Sequence, residues 1–217
     1  MLMQITQRTT ENTAIVLIDY VVGFANYFRS QSVADNLNGA LALAKIGLGW
    51  NIPILATIGP KGDPRGPLYP QLAALLREDQ IIHKGGQFDA FDDPGFAAAM
   101  ENLKGRHLAI AGLMTEGCVL QTTLGALRRG YTVSIVVDAT AGESSLTHDA
   151  ALQRLIQLGV TPTSWQSLAS EILGTWDNVQ MAGVFRDVRL AHATGIGLGM
   201  QATAAAMAVG KAAAGAG

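Results

Sequence analysis

Short apolar runs of strand length recur along this chain with helix-period segments between them, and that alternation restricts its fold more than any other feature. The runs are Ala14 to Ile18, Pro53 to Thr57, Gln80 to His83, Leu108 to Ala111, Thr132 to Val137 and Thr161 to Trp165. Between them, apolar residues repeat with a period of about 3.6 over Ala34 to Gly49, Tyr69 to Leu76, Gly95 to Leu103, Glu116 to Arg129 and Thr147 to Leu158. Strands that alternate with helices predict a parallel sheet covered on both faces. Gly130 and Gly159 each stand just before a strand, as left-handed helix caps would. The expected fold is α/β: a Rossmann-like three-layer αβα sandwich on a six-stranded parallel sheet of order 3-2-1-4-5-6. One domain is expected over residues 1–175. An Ala/Gly-rich C-terminal helical extension follows over residues 176–217, as an oligomer contact or a partly disordered end.

Composition narrows the partners. A chain of 217 residues can bury a substantial core, and a formal net charge of -2 leaves no basic footprint for nucleic acid or an acidic membrane surface. A small-molecule substrate fits better. The single cysteine cannot form an internal disulfide, and the segment Met1 to Glu11 is polar rather than charged then apolar, so a cytoplasmic protein is expected. Gln201, Lys211 and the many glycines of the tail work against a membrane helix. Ile196, Leu198, Met200, Met207 and Val209 instead favour an arm packed on a neighbouring subunit.

The one cysteine, Cys118, lies in Gly112-Leu113-Met114-Thr115-Glu116-Gly117-Cys118-Val119, between an apolar run and a helical pattern. At a helix N-terminus, unpaired N–H groups would stabilise a thiolate and lower the thiol pKa. Cys118 is thus a nucleophile candidate; as a lone cysteine it could equally be a small buried hydrophobe.

Open parallel sheets bind ligands at the carboxyl ends of strands where the winding order reverses, here past the first and fourth strands. Asp19 ends Ile15-Val16-Leu17-Ile18-Asp19, a carboxylate at the mouth of a buried strand that could take the thiol proton, or could cap the next turn. Lys84 follows Ile81-Ile82-His83 and leads into Gly85-Gly86-Gln87-Phe88-Asp89-Ala90-Phe91. Its ammonium could hold Asp19 and stabilise charge near a substrate, or could simply be solvated.

Together these segments resemble the isochorismatase-like cysteine hydrolases, which include nicotinamidases. The resemblance rests on Leu17-Ile18-Asp19, on Lys84-Gly85 with Phe88 and Phe91 behind it, and on Gly112, Thr115, Cys118, Val119, Thr122, Ala126 and Gly130. It covers about Ala14 to Leu173 and implies a catalytic triad of Asp19, Lys84 and Cys118. It also implies a non-proline cis peptide between Leu113 and Met114, with the N–H groups of Met114 and Cys118 forming an oxyanion hole. The Gly66-Pro67-Leu68-Tyr69-Pro70-Gln71-Leu72 segment looks like that of the metal-free YcaC-like subgroup. Phe24 matches a pocket aromatic of the family, and Phe24 and Phe88 are the expected substrate-binding residues.

Metal-dependent nicotinamidases carry an Asp-x-His pair after the second strand. This chain reads Thr57-Ile58-Gly59-Pro60-Lys61-Gly62-Asp63-Pro64 there, with no His, so neither a metal nor any other cofactor is expected. Val21, where some members have Gln, makes that part of the pocket apolar. The implied activity is hydrolysis of a carbon–nitrogen bond in a small amide or carbamoyl compound through a thioester, by a homo-oligomer. The alternatives are a vinyl ether hydrolase of the isochorismatase type, which works without a cysteine nucleophile, and a non-catalytic or redox-sensing protein on the same fold. Asp138, Thr147, His148 and Glu116 are read as turn, cap or first-turn residues, and Trp50, Trp165 and Trp176 as core or subunit contact.

Overall fold

The structure, a computed structural model, describes residues 6–214. The outer ends of the expected domain and extension, residues 1–5 and 215–217, lie outside the described residues. The strands are β1 (Thr13–Ile18), β2 (Ile54–Ile58), β3 (Ile81–His83), β4 (His107–Leu113), β5 (Val133–Ala141) and β6 (Thr161–Thr163). They form one six-stranded parallel sheet in the order β3-β2-β1-β4-β5-β6, the expected arrangement.

β1 is central and wholly buried. Because side chains alternate along a strand, its residues feed two separate cores. Ile15 and Leu17 join a cluster with Ala40, Leu43 and Ile46 of α1 (Val33–Gly49), Leu168 of α6 (Trp165–Leu173) and Phe185 of α7 (Val179–His192). Val16 and Ile18 join the opposite cluster, with Phe96 of α3 (Pro94–Glu101), Ala126 of α4 (Leu120–Arg128) and Leu155 of α5 (Ser145–Gln157). This is the physical basis of the near-continuous apolar strands and of the three layers.

Several boundaries differ from the sequence expectation. β5 runs on to Ala141 because an irregularity in its pairing with β4, between Ile110 and Gly112, absorbs the polar Asp138. Asp138 is a remote cap, as the turn-or-cap reading expects: its Oδ1 accepts the Trp165 N–H at 3.0 Å at the start of α6. The helix expected over Tyr69 to Leu76 is a single turn, α2 (Pro70–Ala73), with Pro70 as its first residue. Thr147 does not cap a helix beginning at His148. Ser144 is the cap, and Thr147 is its reciprocal partner inside the first turn of α5.

Two glycines set distances that matter for the site. A Cβ on Gly39 would lie 2.2 Å from the Asp138 carbonyl oxygen, so glycine lets α1 cross β5 closely. A Cβ on Gly112 would lie 2.3 Å from the Ile18 carbonyl oxygen. Glycine there lets the carboxyl end of β4 close on that of β1, where Ile18 pairs with Gly112.

The C-terminal extension is helical. α7 is docked on α1: the Trp50 indole N–H donates to the Met181 carbonyl at 3.1 Å, and the Asn38 amide donates to the His192 carbonyl at 2.8 Å. α8 (Thr194–Ala214) follows, with Leu198, Met200, Met207 and Val209 exposed. Among the described residues, no helix is long and apolar enough to cross a membrane. Trp50 and Trp165 are core residues, whereas Trp176 is half-exposed and stacks on Phe185 with ring centroids 5.6 Å apart.

Candidate active site

The carboxyl ends of β1, β3 and β4 carry Asp19, Lys84 and the turn that holds Cys118. Asp19 stands immediately after β1 in the left-handed region, at φ 52°, which Asp tolerates better than most residues. Its N–H donates to the Thr57 carbonyl at 3.0 Å, continuing the β1–β2 ladder by one residue. Lys84 continues β3 in the same way, its N–H donating to the Ile58 carbonyl at 3.0 Å.

β2 lies between β1 and β3, and the Lys84 side chain reaches across it. Its ammonium sits 3.0 Å from Asp19 Oδ2 and donates to the Gln87 carbonyl at 3.1 Å, with both charged side chains at most 2% exposed. Thr57, at the end of β2, completes the arrangement: its hydroxyl donates to Asp19 Oδ1 at 2.7 Å. Sequence reasoning missed Thr57, because a threonine at the end of an apolar strand reads only as a good strand former. Asp19 Oδ2 is buried without an aligned hydrogen-bond donor among the described residues.

Cys118 is also buried, but not at the start of a regular α-helix. Thr115–Val119 form a single turn of π-helix, kinked at Gly117, and α4 begins only at Leu120. The expected lowering of the thiol pKa is reversed. Burial first, then the nearby Asp19 charge, push the thiol up to about 12, while Lys84 and Arg65 pull in the opposite direction. Desolvation of the thiolate outweighs the helix-end field because the sulfur is shut off from water. The Leu113–Met114 peptide is cis, as the resemblance implies.

Glu116 is not a freely solvated carboxylate. Its Oε1 accepts from the Glu143 N–H at 2.8 Å and the Thr147 hydroxyl at 3.2 Å, which ties the Cys118 turn to the start of α5. His148 is held structurally, with Nδ1 2.7 Å from the Thr115 hydroxyl.

Beside the turn opens a cavity of about 450 Å³, lined by Phe24, Tyr27, Arg29, Arg65, Met114 and Glu143 among others. Backbone pairing holds its walls together. Val21 and Leu68 form an antiparallel bridge, and the Gly23 N–H donates to the Arg65 carbonyl at 2.7 Å. Phe24 lines this cavity. Phe88 does not: it is 64% exposed and borders a different depression with Gln87, Asp92, Gly117 and Arg128. The two aromatic residues are thus separated, Phe88 lying over the Gly117 backbone on the other side of the turn.

Arg65 is a second residue that sequence reasoning missed. Its Nε donates to Asp63 Oδ1 at 2.9 Å, its Nη2 to Oδ2, and its guanidinium lies over the Phe24 ring, 5.4 Å from the centroid. The available signal was Asp63-Pro64-Arg65 itself, an arginine where the metal-dependent pattern has histidine. The residues of this loop do not fit a metal site. Both Asp63 oxygens are occupied by Arg65, the Asp63 carboxyl is held down at a pKa of about 2 by those bonds, and a cation already stands there.

Comparison with known proteins agrees with this architecture. The model of the isochorismatase domain matches residues 13–167. The probable hydrolase YcaC of Escherichia coli strain K12 is 30% identical over 167 residues, 77% of this chain and 80% of that protein. The structure of the E. coli YcaC gene product, described as an octameric hydrolase of unknown specificity, superposes with a TM-score of 0.87. It is 26% identical, and the match covers 93% of this chain and 98% of that one. YcaC from Pseudomonas aeruginosa, solved with hexane-2,5-diol and covalent acrylamide, gives a TM-score of 0.87 at 27% identity, with coverage of 93% and 98%.

Proposed function

Because the chain belongs to the isochorismatase family of hydrolases, we propose that it cleaves a carbon–nitrogen bond of a small amide or carbamoyl compound through a thioester on Cys118. The observation that carries this reading is the buried Asp19 carboxylate, which has its Oδ2 3.0 Å from the Lys84 ammonium, stands beside the Cys118 thiol and helps to keep that thiol protonated. A base next to a high-pKa nucleophile fits proton transfer coupled to attack rather than a standing thiolate.

Asp19 takes the Cys118 proton as sulfur attacks the carbonyl carbon. The N–H groups of Met114 and Cys118 are assigned to the developing oxyanion. Collapse of the tetrahedral intermediate breaks the carbon–nitrogen bond, and Asp19 returns its proton to the departing ammonia or amine. Water, deprotonated by the same carboxylate, attacks the thioester and releases the acid and the thiol. Lys84 and Thr57 hold Asp19 in position through both steps. The covalent acrylamide in the P. aeruginosa relative supports a nucleophile in that protein that reacts with a small electrophile.

A sealed, high-pKa thiol is poorly suited to redox sensing, which favours exposed thiolates. Vinyl ether hydrolysis would leave Cys118 without a task. The test is ammonia release from a panel of small amides by the wild type and Cys118→Ala, with intact-mass trapping of the acyl-enzyme. An acyl adduct on Cys118 and loss of turnover in the variant are expected; turnover retained by Cys118→Ala would overturn the reading. A homo-oligomer is also proposed, since the E. coli relative is octameric and α8 presents exposed Leu198, Met207 and Val209. Light scattering on the chain with and without residues after His192 tests the part of α8 in that assembly.

A further inference from the structure

We propose that the substrate carries a carboxylate, anchored by Arg65 with Arg29 beside it, so that the enzyme acts on the amide end of a small monoanionic acid amide. The inference rests on the reading of Cys118 as nucleophile and names the substrate class for that same site.

Arg65 is the most constrained charged residue in the cavity wall. Asp63 grips its Nε and Nη2 edge, leaving Nη1 without a hydrogen-bond partner among the described residues. Its guanidinium carbon lies over the Phe24 ring, 5.4 Å from the centroid, a cation–π contact that adds to the Asp63 brace. A guanidinium held on one edge and set over an aromatic ring has lost part of its rotamer freedom before a ligand arrives, so a bond on its free side costs less ordering. The charge is also within electrostatic reach of the reacting groups, since the Asp19 carboxylate stabilises the Arg65 cation and Arg65 favours ionisation of Cys118.

Asp63 balances the charge of Arg65 and Glu143 that of Arg29, so the anchor is the free Nη1 donor of Arg65, with Arg29 as a second guanidinium on the wall, rather than an excess of positive charge. Arg29 is exposed, and its main chain is fixed: the Arg29 and Ser30 N–H groups donate to the Gly142 carbonyl at 3.1 and 3.2 Å, and the Ser30 hydroxyl accepts the Gly142 N–H. Glu143 is the one acidic side chain among the lining residues and is exposed. With two guanidinium groups already balanced by the Asp63 and Glu143 carboxylates, the walls offer hydrogen bonds for one anionic group, and a second meets Glu143. The remaining wall, Phe24, Tyr27 and Met114, suits a short aliphatic spacer between the carboxylate and the amide.

The test separates this inference from the nucleophile assignment. Cys118 alkylation is followed by intact mass with N-iodoacetylglycine and with its methyl ester, in wild type, Arg65→Gln, Arg65→Lys and Arg29→Gln. Hydrolysis of succinamate and glutaramate is compared with that of their methyl esters in the same proteins. N-iodoacetylglycine is expected to label wild-type Cys118 faster than its methyl ester does, and succinamate and glutaramate are expected to be turned over about tenfold or more faster than their methyl esters, the worth of one charge-assisted hydrogen bond. Arg65→Gln is expected to abolish that preference by raising KM for the acids. Arg65→Lys restores part of it, and Arg29→Gln, free of the Asp63 brace, reduces it without disturbing the fold. Equal rates for acid and ester in wild type, or a preference that survives Arg65→Gln, would overturn the anchor while leaving Cys118 as nucleophile. Absence of labelling by either reagent would instead count against the nucleophile.

Discussion

The Lys84 ammonium lies 3.0 Å from the Asp19 carboxylate although their strands, β3 and β1, are not neighbours in the sheet. Such a pair, sealed from water, is held by mutual dependence: removing one partner leaves the other charged and buried. Lys84→Met or Asp19→Leu alone is therefore expected to lower stability by about 3–5 kcal/mol. The double variant is expected to recover most of that loss while remaining inactive. Urea denaturation of the three variants checks this, and losses under about 1 kcal/mol for both single changes would mean the pair is hydrated in solution.

The thiol is raised by burial and by the Asp19 charge. Asp19→Asn removes the second cause and leaves Lys84 unopposed, so the Cys118 pKa is expected to fall. Turnover is expected to fall at least about 100-fold with the general base gone. Thiolate absorbance at high pH, set beside ammonia release, reads both. A thiol that titrates no lower in the variant would show that burial alone sets its pKa.

Gly112 allows β4 to close on β1, since a methyl group there would meet the Ile18 carbonyl oxygen at 2.3 Å. Gly112→Ala is expected to destabilise the protein by about 1–3 kcal/mol, the range for forced overpacking. It is also expected to lower kcat more than it raises KM, because the Cys118 turn moves relative to Asp19 while the cavity loops stay paired. An unchanged kcat at normal stability would speak against that coupling.

His107 is buried between the Thr132 and Ser134 hydroxyls, each 2.8 Å from a ring nitrogen, and desolvation lowers its pKa from 6.5 to about 3. The unfolded chain binds a proton below pH 6.5 that the folded chain refuses until about pH 3. Stability is thus full above pH 6.5 and is lost as pH falls toward 3, by up to about 1.4 kcal/mol per unit. Thermal melts across that window are expected to flatten in His107→Asn, and an identical slope in the variant would assign the acid sensitivity elsewhere.

The strands and their parallel pairing were legible because Ile15, Leu17 and their neighbours form apolar runs too short for buried helices, all but the last followed by a 3.6-residue pattern. The places of Asp19, Lys84 and Cys118 followed from the same reading, since each stands at or just past the carboxyl end of a run. The environment of the thiol did not. Its pKa depends on the π-turn at Gly117 and on how completely the sulfur is buried, and both are products of tertiary packing. Arg65 was missed for a related reason: loop residues gain meaning from what they touch, and its partners Asp63 and Phe24 meet only once the two loops have paired. Phe88 shows the converse, since a sequence position near Lys84 does not put a side chain in the same hollow as Phe24.

Asp19 and Lys84 continue strands in the sheet ladder and Cys118 stands on the π-turn that follows β4, whereas Phe24, Arg29 and Arg65 stand on segments joined by a few backbone pairs. Chemistry and choice of molecule are therefore separable inheritances in this chain. Grafting different segments between Tyr20 and Val33, or between Gly59 and Leu68, should yield a series of enzymes that share one reaction profile toward an activated probe and differ only in which compound each one consumes.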